Sequence, residues 1–249
     1  MATNPRVLTN AAPSICSAYS FSRTYTEAGS KADDSISSSM NPLWEYFQKH
    51  SEGPGIWKWE HYFDIYHRHF AHFVGQKVNV LEIGIYSGGS LEMWRSYFGE
   101  KTHVYGVDIE EACKAYENEH VSVFIGDQAD RAFWDTFRKS VKGIDILIDD
   151  GGHTPEQQQI TLEEMLPYLR PGGVYLCEDV HGRTNKFSAF ASGLVDELNC
   201  MDLKSCVSQF QSSIHSIHFY PYVVVIEKHR APLTKLSSVK HGTEWQPFL

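Results

Sequence analysis

Hydrophobic and polar positions change period several times along this 249-residue chain. Between residues 41 and 76 large aromatic side chains dominate: Trp44, Tyr46, Phe47, Trp57, Trp59, Tyr62, Phe63, Tyr66, Phe70 and Phe73. Tyr62, Tyr66, Phe70 and Phe73 recur every three or four residues, which is helical spacing. Beyond Lys77, short apolar runs alternate with helix-length stretches. The pattern predicts strands over 78–83, 104–107, 121–125, 144–148 and 174–176, and helices over 91–98, 110–116, 131–141, 155–169 and 187–198. Two apolar runs, 214–220 and 222–227, then follow with almost no connection and form a strand pair. Alternating βα units of this length argue for a parallel sheet with helices on both faces. The closing hairpin makes the last strand antiparallel. The expected fold class is α/β, a doubly wound seven-stranded sheet, mostly parallel, with an N-terminal helical segment.

The organisation that follows has four parts. Residues 1–40 are rich in Ser, Thr and Ala and lack apolar periodicity, so they read as a disordered leader. Residues 41–76 are an N-terminal helical lid or cap, 77–228 the core, and 229–249 a C-terminal tail. No acid precedes Glu27, while Arg6 and Arg23 are basic, a faint organelle-targeting signature. A plain tail on a cytoplasmic protein is the preferred reading. No apolar run approaches the roughly 20 residues needed to cross a bilayer. The net charge of −9 argues against a nucleic-acid partner, which needs a concentrated basic face. Five cysteines without paired spacing read as free thiols, and no C-x-x-C zinc spacing occurs. The run H-Y-F-D-I-Y-H-R-H-F-A-H over 61–72 admits a His-rich metal site. An amphipathic helix with exposed imidazoles is its ordinary explanation.

The chemistry concentrates at strand ends. I-L-I-D-D-G-G-H-T places Asp149, Asp150 and His153 at the end of one strand, and V-Y-L-C-E-D places Glu178 and Asp179 at the end of the next. Parallel strands bring their carboxyl ends to one edge, where open α/β sheets bind ligands. Such acids repel one another unless a cation neutralises them, so a divalent metal is implied. Upstream, L-E-I-G-I-Y-S-G-G-S sets Gly84, Gly88 and Gly89 in the turn from the first strand to its helix, where backbone can approach a ligand closely. The spacing departs from G-x-G-x-x-G, which disfavours a nicotinamide oxidoreductase. Asp108, ending the second strand, could accept ribose hydroxyls or cap a helix. Asp127 could accept from an adenine amino group or cap the helix beginning near Ala129.

Taken together, E-I-G-x-x-x-G-x-S, V-D, G-D, the I-D-D strand and R-P-G-G resemble the class I S-adenosylmethionine-dependent methyltransferases over roughly 78–228. These have a Rossmann-like fold. Within that superfamily, I-D-D-G-G-H-T followed by P-G-G-V-Y-L-C-E-D is similar to the metal-dependent, mycinamicin-type macrolide sugar O-methyltransferases and the related cephalosporin-hydroxylase-like proteins. The resemblance implies S-adenosyl-L-methionine and Mg2+ (or Mn2+) as cofactors. It implies Asp150, Glu178 and Asp179 as metal ligands and His153 as the base. It places Glu82, Gly84, Tyr86, Gly88, Ser90, Asp108, Asp127, Gln128 and Asp149 at the cofactor. The implied activity is methyl transfer to a hydroxyl of a small polyhydroxy acceptor, such as a sugar or a glycosylated natural product. Alternatives are a catechol-like phenol O-methyltransferase and a non-catalytic S-adenosylmethionine-binding regulatory protein. The auxiliary domain of the macrolide enzymes has no counterpart in these residues, which leaves a homo-oligomer open.

Overall fold

The structure, a computed structural model, describes residues 41–182, 184–201 and 207–244. The expected leader over 1–40, the last five residues of the expected tail, and Cys16 and Cys206 lie outside the described residues. Among the described residues, two helices precede the sheet: α1 (Pro42–Lys49) and α2 (Tyr62–Phe70), the latter running into a 3₁₀ turn, Ala71–Phe73. Asn41 begins α1, its side chain accepting from Leu43 N and Trp44 N, with Pro42 in the first turn. The same side chain donates from Nδ2 to Phe63 O at 2.8 Å and so ties α1 to α2.

The alternation that follows is β1 (Asn79–Ile83), α3 (Gly89–Phe98), β2 (His103–Asp108), a 3₁₀ helix Glu111–Tyr116, β3 (Val121–Ile125), α4 (Arg131–Ser140), β4 (Ile144–Asp149), α5 (Pro155–Met165), β5 (Leu169–Cys177), α6 (Lys186–Leu198), α7 (Gln209–Ser213), β6 (Ile214–Tyr220) and β7 (Val223–Lys228). The seven strands lie in the order β3-β2-β1-β4-β5-β7-β6. The five strands β1–β5 pair parallel, and β7 inserts antiparallel between β5 and β6. The architecture is the expected one.

Strand parity sorts the core into two layers, because successive side chains point to opposite faces. Val80, Ile146, Ile148, Val174, Leu176 and Val225 pack with Tyr66, Phe70, Trp94 and Phe98 beneath α1, α2 and α3. Leu81, Ile83, Leu147, Tyr175, Cys177 and Val224 pack with Trp134, Phe137, Leu162, Met165 and Phe187 beneath α4, α5 and α6. Parity also sends Glu82 to the first face and Asp149 to the second. Among the described cysteines, Cys113, Cys177 and Cys200 are free. No helix of the described residues is long and apolar enough to cross a membrane.

Three local features differ from the sequence pattern. Helix α5 ends at Met165, not near 169, because Pro167 lacks the N–H that would continue it. Strand β5 starts at Leu169 and carries R-P-G-G inside it. There the register with β4 shifts between Ile144 and Ile146, and Gly172 (φ +78°) donates its N–H to His229 O at 2.8 Å. The segment expected as a helix over 110–116 is a 3₁₀ helix.

Strand order reverses between β1 and β4, and the crevice opens beyond their carboxyl ends. Asp150 N donates to Ile83 O at 3.0 Å and Gly84 N to Val107 O at 2.8 Å, so three strand ends meet there. Gly84 has φ +88°, and a Cβ at this position would collide with Asp150 O. Gly84→Ala should therefore cost more than about 2 kcal/mol through left-handed backbone strain and a clash with rigid backbone. Urea denaturation of the variant against the parent chain measures it.

Candidate active site

A cavity of about 780 Å³ occupies the crevice, within the ordinary range for small-molecule sites. One half is walled by the β1 and β2 ends and the loop after β3: Gly84, Tyr86, Ser90, Asp108, Asp127 and Gln128. The other half is walled by the β4 and β5 ends: Asp150, His153, Glu178 and Asp179. Residues Gly55, Ile56, Trp57, Lys58 and Trp59, from the connection between α1 and α2, and Tyr62 at the start of α2 add to the wall.

In the first half, Asp108 accepts from the N–H groups of Ile85 (2.8 Å), Tyr86 (3.1 Å) and Glu110 (3.0 Å). Burial alone would raise its pKa, but these amides hold it below the ordinary carboxylate value. Asp108 is thus an ionised clamp on the glycine turn, facing the cavity. Gln128 is fully committed. Its Nε2 donates to Asp149 Oδ1 and Thr161 Oγ1, and its Oε1 accepts from Gly152 N. Asp127 accepts from Ala129 N at 2.8 Å, and the N-cap of α4 is Asp130.

In the second half, Asp150, His153 and Asp179 each offer a ligand atom, all within 4.8 Å of one another. His153 Nε2 stands 3.9 Å from Asp150 Oδ1 and 3.6 Å from Asp179 Oδ2. Its Nδ1 is buried without a hydrogen-bond partner among the described residues. His153 does not cap α5, because Thr154 and Gln157 form the capping box there. Asp179 is held by Tyr62 Oη (2.7 Å) and Trp59 Nε1 (3.0 Å), both donating to Oδ1. Glu178 is buried and accepts from Tyr66 Oη at 2.7 Å.

Lys58 is the cation at the centre. Its Nζ donates to Asp150 Oδ2 at 2.5 Å and to Glu178 Oε1 and Oε2 at 3.2 and 3.1 Å, and it lies 3.6 Å from Glu82 Oε1. Burial opposes its charge, but the three carboxylates raise its pKa well above the ordinary lysine value. Glu178 is pushed well above the usual carboxylate range by burial and by Asp150, against the pull of Lys58 and Tyr66. Burial also raises Glu82.

Backbone strain collects at the same place. Among the described non-glycine residues, Tyr86 (φ +48°), His153 (φ +56°), Asp179 (φ +52°) and Tyr222 (φ +64°) are left-handed. Three of the four line the cavity, and Tyr222 packs on Trp59 and His181 at its rim. Such conformations persist only where the surroundings over-determine them.

A family profile described as a methyltransferase domain matches residues 81–180, the span from β1 to the strained turn after β5. The chain carries a methyltransferase domain. It is 31% identical over 199 residues to 8-demethyl-8-alpha-L-rhamnosyl tetracenomycin-C 2'-O-methyltransferase of Streptomyces olivaceus, covering 71% of this chain and 52% of that one. It is 32% identical over 194 residues to mycinamicin VI 2''-O-methyltransferase of Micromonospora griseorubida, covering 66% and 47%. Among solved structures it is similar to the MycE methyltransferase of the mycinamycin pathway in complex with Mg, SAH and mycinamycin VI. That match has a TM-score of 0.64 and 27% identity, over 76% of this chain and 53% of that one. The fold is that of the class I S-adenosylmethionine-dependent methyltransferases. This chain spans about half of the length of these two curated relatives.

Within the methyltransferase domain, the site residues expected from sequence divide into two sets. Gly84, Tyr86, Ser90, Asp108, Asp127, Gln128, Asp150, His153, Glu178 and Asp179 line one cavity. Glu82, Gly88 and Asp149 stand behind its wall. Glu82 accepts from Ser90 Oγ at 2.7 Å on the α3 face. Gly88 (φ +80°) turns the chain into α3. Asp149 points to the α5 face, where Gln128 Nε2 donates at 2.9 Å and Tyr175 Oη at 3.3 Å. Sequence reasoning missed Lys58 and the hydrogen bonds of Tyr62 and Tyr66. The aromatic run signalled a covering segment, but nothing local singled out the lysine within it.

Burial raises Asp149 to about 7 despite the bonds from Gln128, the Gly151 backbone and Tyr175. The folded chain then holds more protons than the unfolded chain between about pH 4 and 7, so this residue lowers stability as pH rises through that window. Asp149→Asn should flatten the fall and make the variant comparatively more stable at pH 8 than at pH 5, read by thermal unfolding across pH. Lys58→Met should destabilise the chain by about 3–5 kcal/mol, since it strands buried carboxylates. Added Mg2+ should return part of that loss, seen by comparing melts with Mg2+ and with chelator.

Proposed function

We propose that this chain transfers a methyl group from S-adenosyl-L-methionine to a hydroxyl of a glycosylated or polyhydroxy small molecule, assisted by a divalent cation. The observation that carries the reading is the convergence of Asp150, His153 and Asp179 on one end of a cavity whose other end is walled by the glycine turn and Asp108. The similarity to O-methyltransferases acting on rhamnosyl tetracenomycin-C and mycinamicin VI, and to a fold solved with Mg and SAH, supports the cofactor pair and the acceptor class.

The donor chemistry fits a hard cation. Asp150 and Asp179 supply carboxylate oxygens, with Glu178 adjacent, and magnesium favours oxygen ligands at 2.0–2.1 Å while keeping positions for water or substrate. Three of the four carboxylates at this end, Glu82, Asp150 and Glu178, already share one ammonium, so a further cation meets a net negative site. Asp150 and Asp179 would hold it, with Glu178 turned toward Lys58 and Tyr66. When bound, the ion acidifies an acceptor hydroxyl and neutralises the charge that develops on its oxygen.

The remaining work belongs to the protein. His153 Nε2, flanked by Asp150 and Asp179, accepts the hydroxyl proton, and both carboxylates stabilise the imidazolium that results. Asp108 accepts the ribose hydroxyls of the cofactor and fixes its reactive methyl relative to His153. Trp57 and Trp59, 84% and 52% exposed, offer flat apolar surfaces at the mouth for the acceptor's ring.

The test is turnover of S-adenosylmethionine by chelator-treated protein against a panel of rhamnosides, other deoxyglycosides and catechols, with and without Mg2+. Methylation of a glycoside that requires the ion supports the reading. Ion-independent turnover overturns the metal assignment, and turnover of catechols alone overturns the acceptor class. His153→Ala should lower kcat about 10²–10⁴-fold. Asp150→Ala should abolish turnover while S-adenosylhomocysteine affinity, measured by calorimetry, changes only a few fold.

A further inference from the structure

Four histidines fall in the segment 61–72, and one of them, His69, is buried at 2% exposure. It lies on α2 one turn beyond Tyr66, facing the hairpin β6–β7. His69 Nδ1 is 2.6 Å from Glu227 Oε1 on β7, and its Nε2 is 2.9 Å from Tyr220 Oη on β6. His218, two residues before Tyr220 on β6, sets its ring 4.7 Å from that of His69, with its Nε2 3.9 Å from Glu227 Oε2. Ser216 Oγ lies 2.9 Å from His218 Nε2 and donates to Glu227 Oε2 at 3.2 Å. Parity explains the meeting: Ser216, His218 and Tyr220 share one face of β6, and Glu227 pairs with Ser216 in the ladder.

We propose that His69, His218 and Glu227 form a second metal site, distinct from the carboxylate end of the cavity, that binds a borderline transition ion such as Zn2+. One ligand atom from each residue already lies within 4.8 Å of the other two. Zinc bonds of about 2.0–2.1 Å in tetrahedral geometry place ligand atoms roughly 3.3–3.4 Å apart. His69 Nδ1 and His218 Nε2 face the two oxygens of the Glu227 carboxylate, at 2.6 and 3.9 Å, so seating an ion asks for shifts of roughly 0.5–0.8 Å in side-chain position. Two imidazoles and a carboxylate suit zinc and its neighbours, whereas magnesium prefers an all-oxygen set. Tyr220 occupies the second nitrogen of His69, and such an outer partner is what fixes the tautomer and orientation of a ligating histidine. With side chains 37% and 26% exposed, His218 and Glu227 leave the site open to an ion from solvent and to a fourth ligand.

The three ligands come from α2 and both strands of the hairpin, so an ion here clips α2 to the sheet edge. Tyr62 and Tyr66 sit on that same helix and hold Asp179 and Glu178. The clip therefore steadies the covering segment of the cavity from its far side.

The experiment titrates the chelator-treated full chain with Co2+ and Zn2+ in excess Mg2+, which fills the carboxylate site. One Co2+ per chain, with the absorption bands of a nitrogen–oxygen tetrahedral or five-coordinate ion and displaced by Zn2+, is the expected result. His218→Ala and Glu227→Gln should each abolish that binding and the accompanying rise in Tm, while Asp150→Asn leaves both intact. Failure of the unmutated chain to bind Co2+ or Zn2+ under these conditions overturns the proposal without reliance on any variant. So does binding that survives His218→Ala or disappears in Asp150→Asn. Turnover is not the readout, so the result stands apart from the test of methyl transfer.

Discussion

Like charges in a water-poor crevice must be neutralised, and most of this structure around the cavity follows from how that is done. Glu82, Asp150 and Glu178 approach one another because three strand and turn ends meet there, and Lys58 is inserted among them. Without the ammonium, burial would protonate these acids or push the strand ends apart. The lysine reaches them only because residues 55–59 cross the crevice, and those residues cross it because α2 is pinned by its aromatic face to the sheet. The aromatic layer and the acid cluster are therefore one design. Tyr62 and Tyr66 pack apolar rings into the core and extend their hydroxyls to Asp179 and Glu178.

Much of this was legible in the chain. Alternating periods gave the sheet and its two helical layers, and the abrupt end of apolar runs in acids placed Asp150, His153, Glu178 and Asp179 at one edge. Parity could also have been read further. Glu82 shares the face of Val80, and Asp149 the face of Leu147, so alternation within each strand places the two acids on opposite faces of the sheet. Lys58 was not legible, because its partners lie 92 and 120 residues away and no local pattern marks a lysine that will be buried. The same holds for His69, whose neighbouring histidines are half-buried or exposed while its own partners come from the closing hairpin. The end of α5 was misplaced because helical periodicity outruns a proline whose effect is purely backbone.

The left-handed residues give the site its rigidity. Tyr86, His153 and Asp179 each hold a conformation disfavoured for a side chain with a Cβ. Each is fixed by neighbours already accounted for: the Asp108 clamp at Tyr86, the α5 capping box after His153, and the tyrosine and tryptophan bonds to Asp179. The strain costs stability, and it sets the imidazole and carboxylate directions without relying on flexible rotamers.

The bridge that Lys58 makes has a consequence for the order of events. Residues 55–59 border the half of the cavity walled by the glycine turn, where Gly55 approaches Ser87, yet their anchor lies in the carboxylate half. A ligand that loosens the lysine at one end alters the covering of the other, and linkage requires the influence to be equal in both directions. One short segment, anchored by a single lysine, thus walls both halves of the cavity.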